Sequence, residues 1–383
     1  MASDTKANEH IAKGLEGVPV TESRIASVDG EKGILRYCGY DIHELAEHAT
    51  FEETAYLLWF GELPAKEQLV SFDARLRRHR ALPAEVTSLI EPLPRNAAPL
   101  DVLRTAVSAL GLLDTAAADV SRESVITKAI RLTALFPSIV AACERLRQGK
   151  HPLEPDLKLR HAANFLYLLR GERATPFEER VMDACLVLHA EHELNASSFA
   201  ARVAASTLAD PYSAVTAALA TLQGPLHGGA NEQVLRMIRE IEKPEKAEQY
   251  IIAKLKRKER IMGFGHRVYK VKDPRAHVLQ RFSRSLGQEK GDATAHLILE
   301  EIERIVERGL AAKKLFANVD FYAAGVYHYL GLHERLFPAV FACSRIAGWM
   351  AHLIEQYADN RLLRPVAVYA GAGPREFVPL ERR

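Results

Sequence analysis

Three side chains able to move protons stand at breaks between helical patterns in one stretch of the chain, from Gly224 to Asp320. His227 lies in Gly224-Pro225-Leu226-His227-Gly228-Gly229-Ala230-Asn231-Glu232 and His266 in Met262-Gly263-Phe264-Gly265-His266-Arg267-Val268-Tyr269-Lys270. Asp320 lies in Asn318-Val319-Asp320-Phe321-Tyr322. A histidine flanked by glycines sits where backbone can approach a ligand closely and positive φ costs little, which suits a binding loop better than a packed helix face. Two imidazoles and a carboxylate are the groups of general acid–base chemistry. Taken singly, each has a plainer explanation: a surface or capping histidine in a glycine turn, or an aspartate capping the helical pattern Phe321 to Leu330.

The irregular segment from Gly263 to Pro274 also holds Lys270 and Lys272, with Arg275 just beyond. Glycine amides and cations together suit a phosphate group, although a solvated basic loop has the same composition. The segment lacks the GxxxxGK-Ser/Thr phosphate loop, so nothing favours nucleotide hydrolysis. Arg345, in Cys343-Ser344-Arg345-Ile346-Ala347-Gly348, interrupts an apolar helix and needs an anionic partner if buried. Arg364 stands before Pro365. His192 falls on the apolar face of a helix read from Thr175 onward, with Val181, Cys185 and Leu188, which on position alone suits a core histidine hydrogen-bonded to a neighbour. The run from His189 to Glu193 is neither HExxH nor HxxEH, so it matches neither zinc-protease spacing.

The elements that must position these groups are almost all helical. Ile25 to Tyr37, with Asp29-Gly30 near its centre, predicts a hairpin. Amphipathic patterns follow at Asp41 to Phe60, Lys66 to Arg80, Pro83 to Ile90, Asp101 to Leu113, Ser121 to Gln148 and Leu157 to Leu169. Thr175, Pro176 and Glu178 form a capping box with proline at the first helical position, and Asp210-Pro211 opens a further helix that breaks at Gly224-Pro225. Asn231 is expected to cap the next helix, whose apolar stripe is Val234, Leu235, Ile238 and Ile241. His296 to Arg308 is amphipathic. No fixed-period repeat or low-complexity linker appears, which excludes a solenoid layout.

With 383 residues, 48% hydrophobic and 26% charged, the chain can bury a large core, and its length suggests two or more domains. A formal net charge of +2 provides no overall field for nucleic acid or an anionic membrane. Cys38, Cys143, Cys185 and Cys343 are far apart and form no CxxC pair, so neither a zinc site of that type nor a disulfide framework is indicated, and a reducing cytosol fits. Met1 to Lys13 has charges of both signs and no apolar core, and no run of about 18 apolar residues occurs. The expectation is a soluble, untargeted, cytoplasmic protein.

As a set, these residues resemble a known family. The segments around His227, around His266 with Asp273-Pro274-Arg275, and around Asp320 look like the three signature motifs of citrate synthases, in the same order and at similar separations. His189 to Ser197, Phe341 to Gly348 and Arg361 to Pro365 resemble further family blocks, and Gly14 to Val18 with Gly30 to Tyr40 resembles its N-terminal hairpin. The similarity runs from about residue 14 to about residue 370. Cys38 departs from it, standing where close relatives are expected to carry arginine.

The resemblance implies a mostly α fold: a large helical domain in two parts, 1–224 and 326–383, a smaller helical domain inserted at 225–325, and a short N-terminal β-hairpin. It implies a homodimer whose small domain closes over bound oxaloacetate before acetyl-CoA reacts, which would keep a carbanion equivalent from water. By similarity Asp320 is the base toward the acetyl methyl, His227 the donor to the enolate oxygen, and His266 the donor to the ketone of oxaloacetate. Arg275, Arg345 and Arg364 would hold the two carboxylates with His192, Arg364 reaching in from the partner subunit. Gly263, Phe264, Gly265 and Lys270 match positions that contact CoA. No metal or redox cofactor is implied. A 2-methylcitrate synthase using propionyl-CoA would keep the same groups. A non-catalytic helical scaffold and a zinc hydrolase are the readings from other classes.

Overall fold

Asp29-Gly30 turns the chain back on itself where a hairpin is expected. Strands β1 (Ala26–Asp29) and β2 (Ile34–Tyr37) pair antiparallel, with Asp29 opposite Ile34 and Ala26 opposite Tyr37. A two-residue strand β3 (Tyr40–Asp41) extends the sheet on the β2 side. The structure is a computed structural model and describes residues 11–310 and 315–383; residues 1–10, most of the N-terminal stretch read above, lie outside the described residues. Beyond β3 the described chain is helix and loop, apart from one isolated bridge between Phe264 and Ala317.

Local side-chain caps set several helix starts. Thr175 accepts from the Glu178 amide while Glu178 reaches back to the Thr175 amide, and Asp210 accepts from the amides of Tyr212 and Ser213. The pattern from Asp41 to Phe60 divides into two helices, Ile42–His48 and Phe51–Phe60. Ala49 is extended between them, and Thr50 and Glu53 form a second capping box. The helix expected from Leu157 starts only at His161, because the Asp156 carboxylate accepts the Lys158 amide and its own amide donates to Asn164. These two bonds commit residues 156–158 to a turn. Asn231 is not a cap: Gly229 (φ 84) takes that place, and Asn231 is buried in the first turn, accepting from the Glu232 amide.

The core is built on two long helices, Arg122–Arg147 and Phe337–Ala358, which pack against each other. Both carry 18-residue windows apolar enough to cross a membrane by composition, and 89% of each window is buried inside the protein. Packing of these faces in the interior accounts for their hydropathy. Helices Ala196–Ser206 and Pro211–Leu222 pack on one another and on Phe337–Ala358. A second group gathers around Val319–Tyr329, against which Pro274–Glu289 and Ala230–Ile241 lie. Between the groups the chain passes through the turn at Gly224-Pro225, while residue 325 falls inside the continuous helix Val319–Tyr329.

Candidate active site

A cleft of about 1160 Å³ lies where the two helix groups meet the N-terminal segment, and His192, His227, His266, Arg275, Asp320 and Arg345 all line it. The six arrive from five separate stretches of chain, so their convergence is a product of the tertiary fold.

His266 sits in the irregular stretch before Pro274. Its Nδ1 accepts from the backbone N–H groups of Val268 at 3.0 Å and Tyr269 at 3.2 Å. With Nδ1 committed as an acceptor, a neutral ring carries its proton on Nε2 and is a donor there. Burial, reinforced by the Arg275 charge, lowers the His266 pKa to about 4, so the ring is neutral at pH 7. The hairpin holds this loop in place: Gly30 accepts from the Lys270 amide at 2.9 Å, and a Cβ at Gly30 would lie 2.3 Å from the Val268 carbonyl oxygen.

His227 lies in the turn between the helices ending at Leu222 and starting at Ala230. Its Nε2 is 2.8 Å from Ser197 Oγ, which also accepts from Trp349 Nε1 at 3.0 Å and lies 2.8 Å from Asn195 Oδ1. The hydroxyl owns one proton, shared between Asn195 and His227, and its direction sets the His227 tautomer. Turned toward His227, it leaves the imidazole proton on Nδ1. Burial, with Arg345 adding to it, lowers the His227 pKa to about 4.

Asp320 is the second residue of its helix. The capping aspartate expected from its position is in fact a capped neighbour, since Asn318 Oδ1 accepts from the Asp320 amide at 3.1 Å. The carboxylate is thereby left for the cleft. Burial raises its pKa to about 6, with the Arg275 charge opposing the rise.

The two arginines differ in what holds them. Arg275 forms a fork with Asp273, Nε to Oδ1 at 3.0 Å and Nη2 to Oδ2 at 2.7 Å, and both side chains are buried. Burial pulls the Arg275 pKa down, and the Asp273 charge outweighs it and raises it. Nη1 of Arg275 has no hydrogen bond among the described residues, which leaves one edge for the cleft. Arg345, 2% exposed, donates Nε to the His189 carbonyl at 2.7 Å and stacks 4.5 Å from the Phe341 ring centre. Among the described residues no carboxylate pairs with it, and burial lowers its pKa to about 10. A buried cation without an anionic partner, facing a cavity, is a site for an anion.

His192 is buried in the cleft wall, but the helix carrying Val181 and Cys185 stops at His189. Tyr37 Oη ends it by donating to the Glu191 carbonyl at 2.8 Å and accepting from the Glu191 amide at 3.1 Å. His192 Nε2 then meets Tyr269 Oη at 3.1 Å, and burial lowers its pKa.

Other expected residues lie elsewhere. Gly265 lines the cleft, whereas Gly263 (φ 81) is a packing position: a Cβ there would lie 2.7 Å from the Phe321 ring. Phe264 meets Phe321 edge to face with ring centres 4.6 Å apart, and Lys270 is exposed outside the cleft lining. Arg364 is exposed on a C-terminal segment with no helix beyond the short turn Leu380–Arg382. Cys38 has φ 45, and its thiol lies 3.5 Å from the Leu57 carbonyl, with burial pushing its pKa to about 11. Among the described residues no three His, Cys, Asp or Glu side chains converge as metal ligands.

Sequence reading missed Ser197, Tyr269 and Trp349. Tyr269 stood inside a quoted motif, and Trp349 is one helical turn after Arg345, a spacing that places both on one face.

The family model for "Citrate synthase, C-terminal domain" matches residues 14–366. The chain is 48% identical to citrate synthase 2 of Bacillus subtilis over 372 residues, covering 97% of this chain and 99% of that protein. It is 41% identical to a 2-methylcitrate synthase of Shewanella oneidensis, covering 97% of each. Its fold is similar, with a TM-score of 0.92 and 34% identity, to the ternary complex of carboxymethyl coenzyme A and oxaloacetate with citrate synthase from Thermoplasma acidophilum, covering 97% of this chain and 99% of that one. Similarity of this extent, on a fold that draws the three signature motifs to one cleft, means that the chain belongs to the citrate synthase family of transferases.

Proposed function

We propose that the chain condenses acetyl-CoA with oxaloacetate and hydrolyses the resulting thioester to citrate and CoA. One observation carries this reading: a carboxylate, two neutral imidazoles and two buried guanidiniums face a single cleft. Asp320 takes a proton from the acetyl methyl group. When the Ser197 hydroxyl turns to donate to its Nε2, His227 carries its proton on Nδ1 and donates to the enolate oxygen, an interaction of a kind worth about 3 to 4 kcal/mol. The enolate carbon then bonds to the ketone carbon of oxaloacetate as His266 gives its Nε2 proton to the ketone oxygen. Water attacks the thioester of citryl-CoA, and CoA leaves as the thiol. These steps transfer protons and form one C–C bond, so no metal or redox cofactor enters the reading.

Arg275 and Arg345 hold the carboxylates of oxaloacetate with His192, and Arg364 completes the neighbouring site in a homodimer. An exposed Arg364 followed by exposed Val366 and Tyr369 (82% and 79%) supports a segment that finds its contacts on a partner subunit. In this reading Gly265, from the cleft lining, and Lys270, from the exposed loop outside it, contact the CoA chain. A small domain running from Pro225 to the turn at Gly331 closes on the large one, a boundary supported by the continuous helix through residue 325. Four free cysteines fit a reducing cytoplasm.

The relative named 2-methylcitrate synthase supports a second reading in which propionyl-CoA is the better acyl donor. One methylene is worth roughly 1 to 3 kcal/mol, or about 10- to 200-fold in kcat/KM. Measuring CoA release with oxaloacetate and either thioester decides between them. A higher kcat/KM for acetyl-CoA is expected, and no release with either would refute both readings.

A further inference from the structure

We propose that Asn318 is a positioning residue that sets the separation between His266 and Asp320; this rests on the condensation reading above. His266 belongs to an irregular loop that reverses at Gly263 and Gly265, with φ of 81° and 86°. Asp320 belongs to the first turn of a helix. Asn318 is where the two segments meet. Its Nδ2 donates to the Gly265 carbonyl at 3.0 Å, and its Oδ1 accepts from the Asp320 amide at 3.1 Å. One planar amide therefore spans from the carbonyl just before His266 to the backbone of Asp320.

Backbone bonds ladder the same two segments. The Asn318 amide donates to Gly263 O at 2.9 Å, the Gly265 amide to Phe316 O at 2.9 Å, and the Asp273 amide to Ala317 O at 3.2 Å. Those rungs are indifferent to side-chain identity. The amide rung depends on residue type, and it is the one that joins the residues next to the two proton-transfer groups. Asn318 also lines the cleft.

Capping the helix is a separate requirement that Ser or Asp meets about as well as Asn. Neither can also give an N–H to Gly265 O: serine is too short to span both contacts, and aspartate sets an acceptor against an acceptor. N318S thus keeps the cap and removes the rung, and N318D keeps the cap and makes the rung repulsive. The condensation needs Asp320 and His266 to act within one complex, and misplacement by about 1 Å can cost about 100-fold in rate.

The test compares wild type, N318S and N318D as full chains, measuring kcat, KM for each substrate, and Tm. Expected are a Tm within about 3 °C of wild type, KM for oxaloacetate within about 3-fold, and kcat down about 10-fold in N318S and further in N318D. Arg275 and Arg345 are untouched, which is why the loss should fall on kcat. Wild-type kcat in N318S, a loss confined to KM, or an activity loss fully matched by loss of folded protein in both variants would each overturn the positioning role. A wild-type enzyme that releases no CoA would instead sink the condensation reading itself.

Discussion

His192, His227 and His266 are driven toward the neutral form by burial, while the Asp320 carboxyl in the same cleft is driven toward protonation. For His266 this is useful, since a neutral ring with Nδ1 occupied still offers Nε2–H. For Asp320 it sets the acid limb. A base must be ionised, and a pKa raised to about 6 in the free enzyme predicts that kcat/KM falls about tenfold per pH unit below that value, with a plateau above it. The sign for stability is opposite: a raised carboxyl pKa favours the protonated fold at low pH, and that contribution disappears as pH rises through about 6. A kcat/KM–pH profile with no limb between pH 5 and 7 would contradict the assignment. Arg275 has two duties, because Asp273 would be left buried and unpaired without it. Arg275→Ala is expected to weaken oxaloacetate binding and also to cost about 3 to 5 kcal/mol of stability. The double variant Arg275→Ala with Asp273→Ala should recover much of the lost Tm but none of the affinity in calorimetry.

At the scale of elements, the hairpin does more than decorate the N-terminus. Tyr37 on β2 binds both backbone groups of Glu191 and so ends the helix that would otherwise carry His192 away from the cleft. Tyr37→Phe orphans a buried N–H and C=O, a loss of about 1 to 3 kcal/mol, and should lower Tm and oxaloacetate affinity together; wild-type values for both would refute the anchoring role. This contact also explains where sequence reading ran out. Starts at Thr175 and Asp210 were legible because their caps lie within three residues, and the break at Thr50 carried a similar signal in Glu53. The stop at His189 depends on a residue about 150 positions earlier, which no local period records. Likewise His227, His266 and Asp320 were recognisable from their motifs, whereas the Ser197–Trp349 support of His227 exists only after folding.

At the scale of the molecule, Arg364 is exposed and does not line its own chain's cleft. If it serves the neighbour, a heterodimer of one Arg364→Ala chain and one Asp320→Asn chain carries both lesions in one site and keeps the other whole. About half of wild-type activity is expected from the purified heterodimer, against near-inactive parents; persistent inactivity with heterodimers verified by mass spectrometry would exclude the shared site. The central claim is that this fold makes a carbon–carbon bond from the acetyl methyl group. Methyl-13C acetyl-CoA and oxaloacetate, followed by 13C NMR, test it directly. The account predicts that label enters a methylene carbon of citrate with wild type and does so negligibly with Asp320→Asn, whose fold is retained. Label appearing instead as free acetate, or entering citrate at the wild-type rate with Asp320→Asn, would contradict it.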